Sequence, residues 1–344
     1  MPLHVLICDD SSLARKQLGR ILPASWDIEL SFAEHGKEAL ELIRQGKGEL
    51  TLLDLNMPVM DGYETLAEIR KHDLPAMVLV VSGDIQPEAK ARVLQLGAFE
   101  FIRKPTDVAT LERILIEYGF FTAPEVSETS PPTKVVRPER GSTIQVSQRD
   151  MYQEVANVAM GRAGELLARA LNVFVELPIP TVNQIAASEL HMVLSSVEGA
   201  HTVSAVTQGF TGDGIHGEAM VIFNDASFKD MGRLLGNDIN DQRYELEALL
   251  DIGNLLIGAC LQGLGEQLYV RMNQAHPAIL GRNVSVAELL KSSKTRWEQV
   301  LAIEIGYRLE GFAIEFDLLL LFPSSSLPAL ERQLAYLLEG DEPC

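Results

Sequence analysis

Asp150, Glu154, Asn157 and Pro180 are matched, at the same mutual spacing, by Glu247, Asp251, Asn254 and Pro277, each 97 residues after its counterpart (247 − 150, 251 − 154, 254 − 157, 277 − 180). A repeat of this period implies two copies of one supersecondary unit. Two copies are too few for a solenoid, so they read as the halves of a single pseudo-symmetric domain. In each half the pattern is a long helix followed by strands. Ser147, with Asp150 three residues later, makes a capping pair for a helix to about Ala170, and Asn240 or Asp241 caps a second helix to about Leu264. The apolar runs HMVLSSV, SAVTQGF and EAMVIFN follow the first helix, and LYVRM, VLAIEIGYRLE and FAIEFDLLLLF follow the second.

The repeated polar positions fall at i, i+4 and i+7, which on a helix is one face. Each helix therefore shows a carboxylate beside a carboxamide. A carboxamide both donates and accepts, so it can hold a water in line with a phosphorus atom without becoming charged. The neighbouring carboxylate can hold a Lys ammonium and fix how a partner docks.

The N-terminal third follows a different rule. From residue 4 to about 120, short β-rich runs (HVLICDD, IELSFA, LTLLDL, AMVLVVSG, EFIRKP) alternate with amphipathic helical stretches such as that of Leu13, Leu18 and Ile21. Continuous apolar strands separated by helices predict a parallel sheet covered on both faces. Ligands of such sheets bind beyond the carboxyl ends of the strands. Asp9 and Asp10, Asp54, Ser82 and Lys104 all fall there. Three carboxylates in one crevice repel one another, and a hard divalent ion with oxygen ligands, Mg²⁺ above all, relieves this. Asp54 is then placed to attack phosphorus, with Lys104 neutralising charge on the equatorial oxygens. A plainer reading is that Asp10 caps the helix beginning SSLARKQ.

Together with the run Asp54-Leu55-Asn56-Met57-Pro58-Val59-Met60-Asp61-Gly62 and the pair Lys104-Pro105, these residues resemble the receiver domain of bacterial response regulators. The resemblance implies a flavodoxin-like (βα)5 α/β domain over residues 1–121, phosphorylated on Asp54 by a histidine kinase as phosphodonor. It implies that Asp9, Asp10 and Asp54 hold Mg²⁺ with the backbone carbonyl of Asn56. Ser82 would bind the phosphoryl group, Lys104 would pair with it, and Phe101 would be the switch aromatic.

Residues 122–146 are rich in Pro, Ser and Thr and read as an extended linker, about 25 to 30 Å in typical span. Beyond it, the repeated spacing with NVAMGRAGELLARAL, IGNLLIGACLQGL and GFTGDGIHGEAMVIF resembles the CheC, CheX and FliY family of chemotaxis phosphatases over residues 147–340. The resemblance implies an α+β domain of two pseudo-symmetric halves that hydrolyses the phosphoaspartate of a CheY-like receiver, in cis or in trans. One site would be Glu154 with Asn157, the other Asp251 with Asn254, the amide directing water and the acid pairing with the receiver's Lys. Two departures fall in the second copy, where Asp251 stands for the family's Glu and Glu247 for its Asp or Ser. The alternative is a non-catalytic docking module, regulated by phosphorylation of the receiver, that binds the flagellar switch or a CheD-like partner.

The formal net charge of −19, with no Lys/Arg cluster, argues against nucleic acid or an anionic membrane as partner. Three cysteines, Cys8, Cys260 and Cys344, offer neither a disulfide framework nor a metal spacing. The N-terminus lacks a signal-peptide pattern, no stretch approaches eighteen apolar residues, and the expectation is a cytoplasmic protein. Gly212, Gly214 and Gly217 spell GxGxxG but precede a strand, so they shape a turn and not a dinucleotide site. His191, His201, His216 and His276 show no ligand spacing.

Overall fold

A computed structural model describes residues 2–23, 25–121, 144–186, 189, 202–227, 230–231, 234, 242–285, 288–289 and 297–339. Most of the expected linker (122–143), the run HMVLSSV, the expected caps Asn240 and Asp241, His191, His201 and Cys344 lie outside the described residues. The chain divides into two compact units, Met1–Ser82 with Lys90–Asp150, and Gly83–Ala89 with Met151–Cys344.

In the first unit, β1 (Leu3–Cys8), β2 (Ile28–Ala33), β3 (Leu50–Leu53), β4 (Met77–Ser82) and β5 (Glu100–Arg103) form an all-parallel sheet in the order β2-β1-β3-β4-β5. The helices α1 (Ser12–Ile21), α2 (Gly36–Arg44), α3 (Gly62–Lys71), α4 (Pro87–Leu96) and α5 (Val108–Glu117) alternate with them. Because strand side chains alternate faces, the sheet has two cores. Leu6, Cys8, Leu53, Val78 and Val80 pack with Leu40 and Ile43 of α2 and Leu66 of α3. Val5, Ile7, Leu50, Leu52, Leu79 and Val81 pack on the other side with Leu18 of α1 and Leu111, Ile114 and Leu115 of α5. The strand order reverses between β1 and β3, so their carboxyl ends open side by side onto one crevice.

Local caps start the helices around that crevice. Ser11, not Asp10, caps α1, its Oγ accepting from Ala14 N–H at 3.1 Å. Asp61 and Glu64 form a reciprocal capping box at the start of α3. Asp107 caps α5, accepting from Thr110 N–H at 2.6 Å.

The second unit is built on one eight-stranded antiparallel sheet and long helices. Its elements are α6 (Gln148–Leu171), β6 (Val175–Glu176), β7 (Thr181–Ala186), β8 (Val203–Gly212), β9 (Ile215–Asn224), α7 (Gln242–Gln267), β10 (Asn273–Gln274), β11 (Ala278–Val284), β12 (Gln299–Leu309), β13 (Glu315–Pro323) and α8 (Leu327–Glu339). Ser147 and Asp150 cap α6 reciprocally, as their spacing predicts.

The halves exchange strands. The main order is β10-β8-β9-β13-β12-β6, with β11 also on β8 and β7 also on β12. Strands β6 and β7 of the first half therefore pair with β12 of the second, while β10 and β11 of the second pair with β8 of the first. The register repeats with the sequence: Thr181 faces Glu304 and Val182 faces Ile303, while Ala278 faces Thr207 and Ile279 faces Val206. Likewise Glu176 faces Arg308, and Asn273 faces Thr211. Every residue in one set lies 97 positions from its counterpart in the other (278 − 181, 304 − 207, 273 − 176, 308 − 211). Neither half can complete its sheet alone.

One expectation is corrected by this topology. The run LYVRM is not a strand: Leu268 and Val270 close the end of α7 by donating to the carbonyls of Leu264 and Gly265, and Tyr269 takes the left-handed φ of 54°. Asn172 takes φ 53° at the equivalent place after α6. The strands that follow, β10 and β11, are largely exposed edge strands whose weak apolar alternation gave no signal. The repeated prolines also gain a structural reason, since Pro180 and Pro277 each stand one residue before an edge strand, where a missing N–H is tolerated.

The glycine-rich segment is a hairpin turn, as expected: Asp213 (φ 48°) and Gly214 (φ 83°) join β8 to β9 with the paired positive φ of a type I′ turn. Helices α6 and α7 approach closely, for a side chain on Gly263 would meet Ala159 Cα at 3.0 Å, and Gln267 Nε2 donates to Val155 O at 2.9 Å. Residues 246–267 of α7 have the length and mean hydropathy (1.4) of a membrane span, but 61 % of that window is buried inside the protein. This is what a core helix shows.

Candidate functional site

The crevice above β1 and β3 is acidic. Asp9, directly after β1, and Asp54, directly after β3, are each 1 % exposed, and Asp10 is half-buried. A carboxylate oxygen from each of the three can be chosen so that all lie within 4.8 Å of one another. Such a set of hard oxygen donors suits a divalent cation. Lys104, following β5, places its Nζ 2.7 Å from Asp9 Oδ2 and 3.3 Å from Asp54 Oδ1. Its ammonium thus offsets part of the repulsion among the carboxylates.

Backbone amides hold the carboxylates in place. Ser11 N–H donates to Asp9 Oδ1 at 2.9 Å and Asn56 N–H to Asp54 Oδ2 at 3.0 Å. The fully buried Ser82 ends β4, and its carbonyl accepts from Lys104 N–H at 2.8 Å. The Lys104–Pro105 peptide is cis. Phe101 is half-buried on β5 against the core on the α2 and α3 side of the sheet. Cys8, at the base of the crevice, is inert: burial first, and then the charges of Asp9 and Asp54, push its thiol well above the ordinary range.

Sequence reasoning missed Arg15. Its buried guanidinium donates to the carbonyls of Asp9 (2.7 Å) and Asp10 (3.1 Å) and pairs with Glu34 at 2.7 Å, so it fixes the backbone that carries two of the acids. A lone Arg on an amphipathic helix gives no warning of this, since the carbonyls it reaches leave no trace in the pattern.

The acid and amide pairs of the second unit differ from each other. On α6, Glu154 and Asn157 are each 5 % exposed, and Asn157 Oδ1 is a buried atom with no hydrogen-bond partner among the described residues. On α7, Glu247, Asp251 and Asn254 are all exposed. Asn254 Oδ1 accepts from Nε2 of Gln208, a 2 % exposed residue on β8, at 3.0 Å. Gln208 was not anticipated, because a single Gln within a strand run looks like an ordinary solvent-facing position. His216 meets Ser325 and the backbone N–H of His216 meets Ser326, a structural link consistent with its lack of ligand spacing. Cys260 and Cys8 are free and buried.

Comparison with known proteins agrees for the first unit. Residues 5–116 match the response regulator receiver domain family, and this part of the chain is a two-component receiver domain with the flavodoxin-like fold. The chain is 34 % identical over 115 residues to a protein-glutamate methylesterase/protein-glutamine glutaminase of Syntrophomonas wolfei, covering 33 % of each chain. It is 32 % identical over 144 residues to the protein of that name from Bacillus subtilis, covering 40 % of each. The chain thus spans about a third to two fifths of the length of these relatives. Among solved structures, Thermotoga maritima FliY aligns over 56 % of this chain and 96 % of its own, with 17 % identity and a TM-score of 0.41. The CheX–CheY–BeF3–Mg complex of Borrelia burgdorferi aligns over 34 % of this chain and 90 % of that one, with 33 % identity and a TM-score of 0.32.

Proposed function

We propose that this chain is a chemotaxis signalling protein in which a receiver (residues 1–121), phosphorylated on Asp54, is joined through a linker (122–146) to a CheC-like phosphatase domain (147–340). The phosphatase domain removes phosphate from the aspartate of a CheY-like receiver, either its own or a separate one. The observation that supports this best is the internal repeat of a carboxylate and a carboxamide on one face of each of two long helices. A buried amide oxygen with no partner among the described residues, as at Asn157, costs about 1 to 3 kcal/mol in a protein that could have placed Ala there. Such costs persist where an atom is kept for chemistry.

In the receiver, Asp54 is the nucleophile toward the phosphodonor, a histidine kinase. Asp9, Asp10 and Asp54 would hold Mg²⁺ with the Asn56 carbonyl, and the ion would supply positive charge to the phosphoryl oxygens. Lys104 leaves its place between Asp9 and Asp54 to pair with the phosphoryl group, Ser82 donates its hydroxyl, and Phe101 reports the change to the surface. In the phosphatase domain, the amide orients a water in line with the aspartyl phosphate and the acid binds the substrate's Lys. No nucleic acid or membrane is involved, and we place the protein in the cytoplasm.

The test is the lifetime of phosphate on a receiver charged with a small phosphodonor, with and without the full chain. Wild type shortens the lifetime and Glu154→Ala/Asn157→Ala does not. Equal lifetimes for the two proteins would reject the enzymatic reading in favour of a docking module for the flagellar switch or a CheD-like partner. The exposure of Asp251 and Asn254 is the feature that suits that second reading.

A further inference from the structure

Gln208 stands between two acceptors. Its Nε2 lies 3.0 Å from Asn254 Oδ1 and 3.2 Å from the carbonyl oxygen of Ala275, while its Oε1 is buried with no hydrogen-bond partner among the described residues. A backbone carbonyl can only accept, so the Gln208 nitrogen must face Ala275. That nitrogen has a second hydrogen, and it is directed at Asn254. The orientation of the Gln208 amide therefore fixes the other amide too: Asn254 must turn its oxygen toward the sheet and its nitrogen, with two N–H donors, away from it. The first copy has no such device, because the residue 97 positions after Gln208 is Ile305, fully buried and without a polar side-chain atom (305 − 208).

The two orientations suit different chemistry. A water that attacks phosphorus keeps a lone pair for the new bond and is best held through its hydrogens, which calls for an acceptor. A phosphoryl group presents only oxygen acceptors and is best held by donors. We infer that Gln208 commits the exposed Asp251 and Asn254 pair to binding the phosphoryl group of a receiver without hydrolysing it, and that turnover belongs to Asn157. The inference rests on the phosphatase reading above and assigns its two sites different tasks. Gln208 acts here as a positioning residue.

The experiment uses the full chain and a separate CheY-like receiver in two forms. One is loaded with beryllofluoride and Mg²⁺, a stable mimic that reads binding; the other is phosphorylated and reads phosphate release. Asn254→Ala weakens binding of the mimic by about tenfold. Asn157→Ala lowers kcat by about a hundredfold or more. In the Asn157→Ala protein, Gln208→Leu restores turnover by about tenfold, because it removes the donor that holds the Asn254 oxygen toward the sheet. If Gln208→Leu does not fold, as read by near-UV circular dichroism, Gln208→Met takes its place and must also restore turnover, since it too removes the donor that holds the oxygen in. Unchanged binding in Asn254→Ala, a kcat in Asn157→Ala above half that of wild type, or no recovery in the double variants overturns the inference. Failure of the wild type to release phosphate sinks the phosphatase reading itself, while the binding arm still reads Asn254.

Discussion

Lys104 Nζ sits 2.7 Å from Asp9 Oδ2, with both side chains at most 5 % exposed, so a buried cation from the end of β5 supports an acid at the end of β1. The same ammonium reaches Asp54 at 3.3 Å. Taking it away leaves like charges crowded together, and breaking a buried pair of this kind typically costs about 3 kcal/mol or more. Lys104→Met is expected to lower the free energy of urea unfolding of the receiver by that amount without Mg²⁺ and to gain more from added Mg²⁺ than wild type does. A variant whose midpoint and Mg²⁺ response both match wild type would show that the pairing contributes nothing.

Asn157 gives the opposite sign. Replacing it by Ala removes a buried oxygen with no hydrogen-bond partner among the described residues and adds a better helix former within α6. Asn157→Ala is expected to raise the thermal midpoint by a few degrees, equivalent to about 1 kcal/mol, while phosphate release falls. Calorimetry on the full chain measures the first effect. A lower midpoint would mean that the amide is a structural group.

The segment that spells GxGxxG is held by packing. A side chain on Gly217, on β9, would meet the carbonyl oxygen of Leu321 at 2.3 Å and Phe210 at 2.5 Å. Neither can move without disturbing the centre of the sheet. Gly217→Ala is expected to destabilise the second unit by about 3 kcal/mol, the upper end of what overpacking costs. Chemical denaturation is the check, and wild-type stability in this variant would contradict the packing.

Alkaline pH should loosen the second unit. Burial pushes the Cys260 thiol from 9.0 up to about 12. The Tyr152 phenol rises from 10.0 to about 12, through burial first and then the charge of Glu331. Both groups hold their proton more tightly folded than unfolded, so the stability they add is complete below the unfolded values and is lost as pH rises through the window toward about 12. The melting temperature of wild type should therefore fall more steeply above about pH 9 than that of Cys260→Ala. Parallel curves would place the loss elsewhere.

Much of this architecture was legible in the chain because its signals are local. The central strands of the receiver, such as β3 and β4, are apolar runs, and the polar residues at their ends identify themselves by following those runs. The repeat of 97 residues required no structure to be seen, and it carried the register of the exchanged strands. The edge strands β10 and β11 were missed for the converse reason: half-exposed strands have little to bury and show little pattern. LYVRM misled because the apolar residues that close a helix end look like a short strand.

What the sequence determined by itself was which side chains recur, at what spacing, and on which face of a helix, since covalent order and helical periodicity fix these. What only the tertiary structure decided was how alike the two copies are. Arg15 beneath the acidic turn, Lys104 between two acids, and Gln208 against Asn254 are contacts between segments far apart or facing backbone atoms that every residue shares. A hydrogen bond depends on where a donor meets an acceptor in space. Two identical spacings can thus bury one amide, its oxygen without a hydrogen bond among the described residues, and leave the other exposed with its oxygen held.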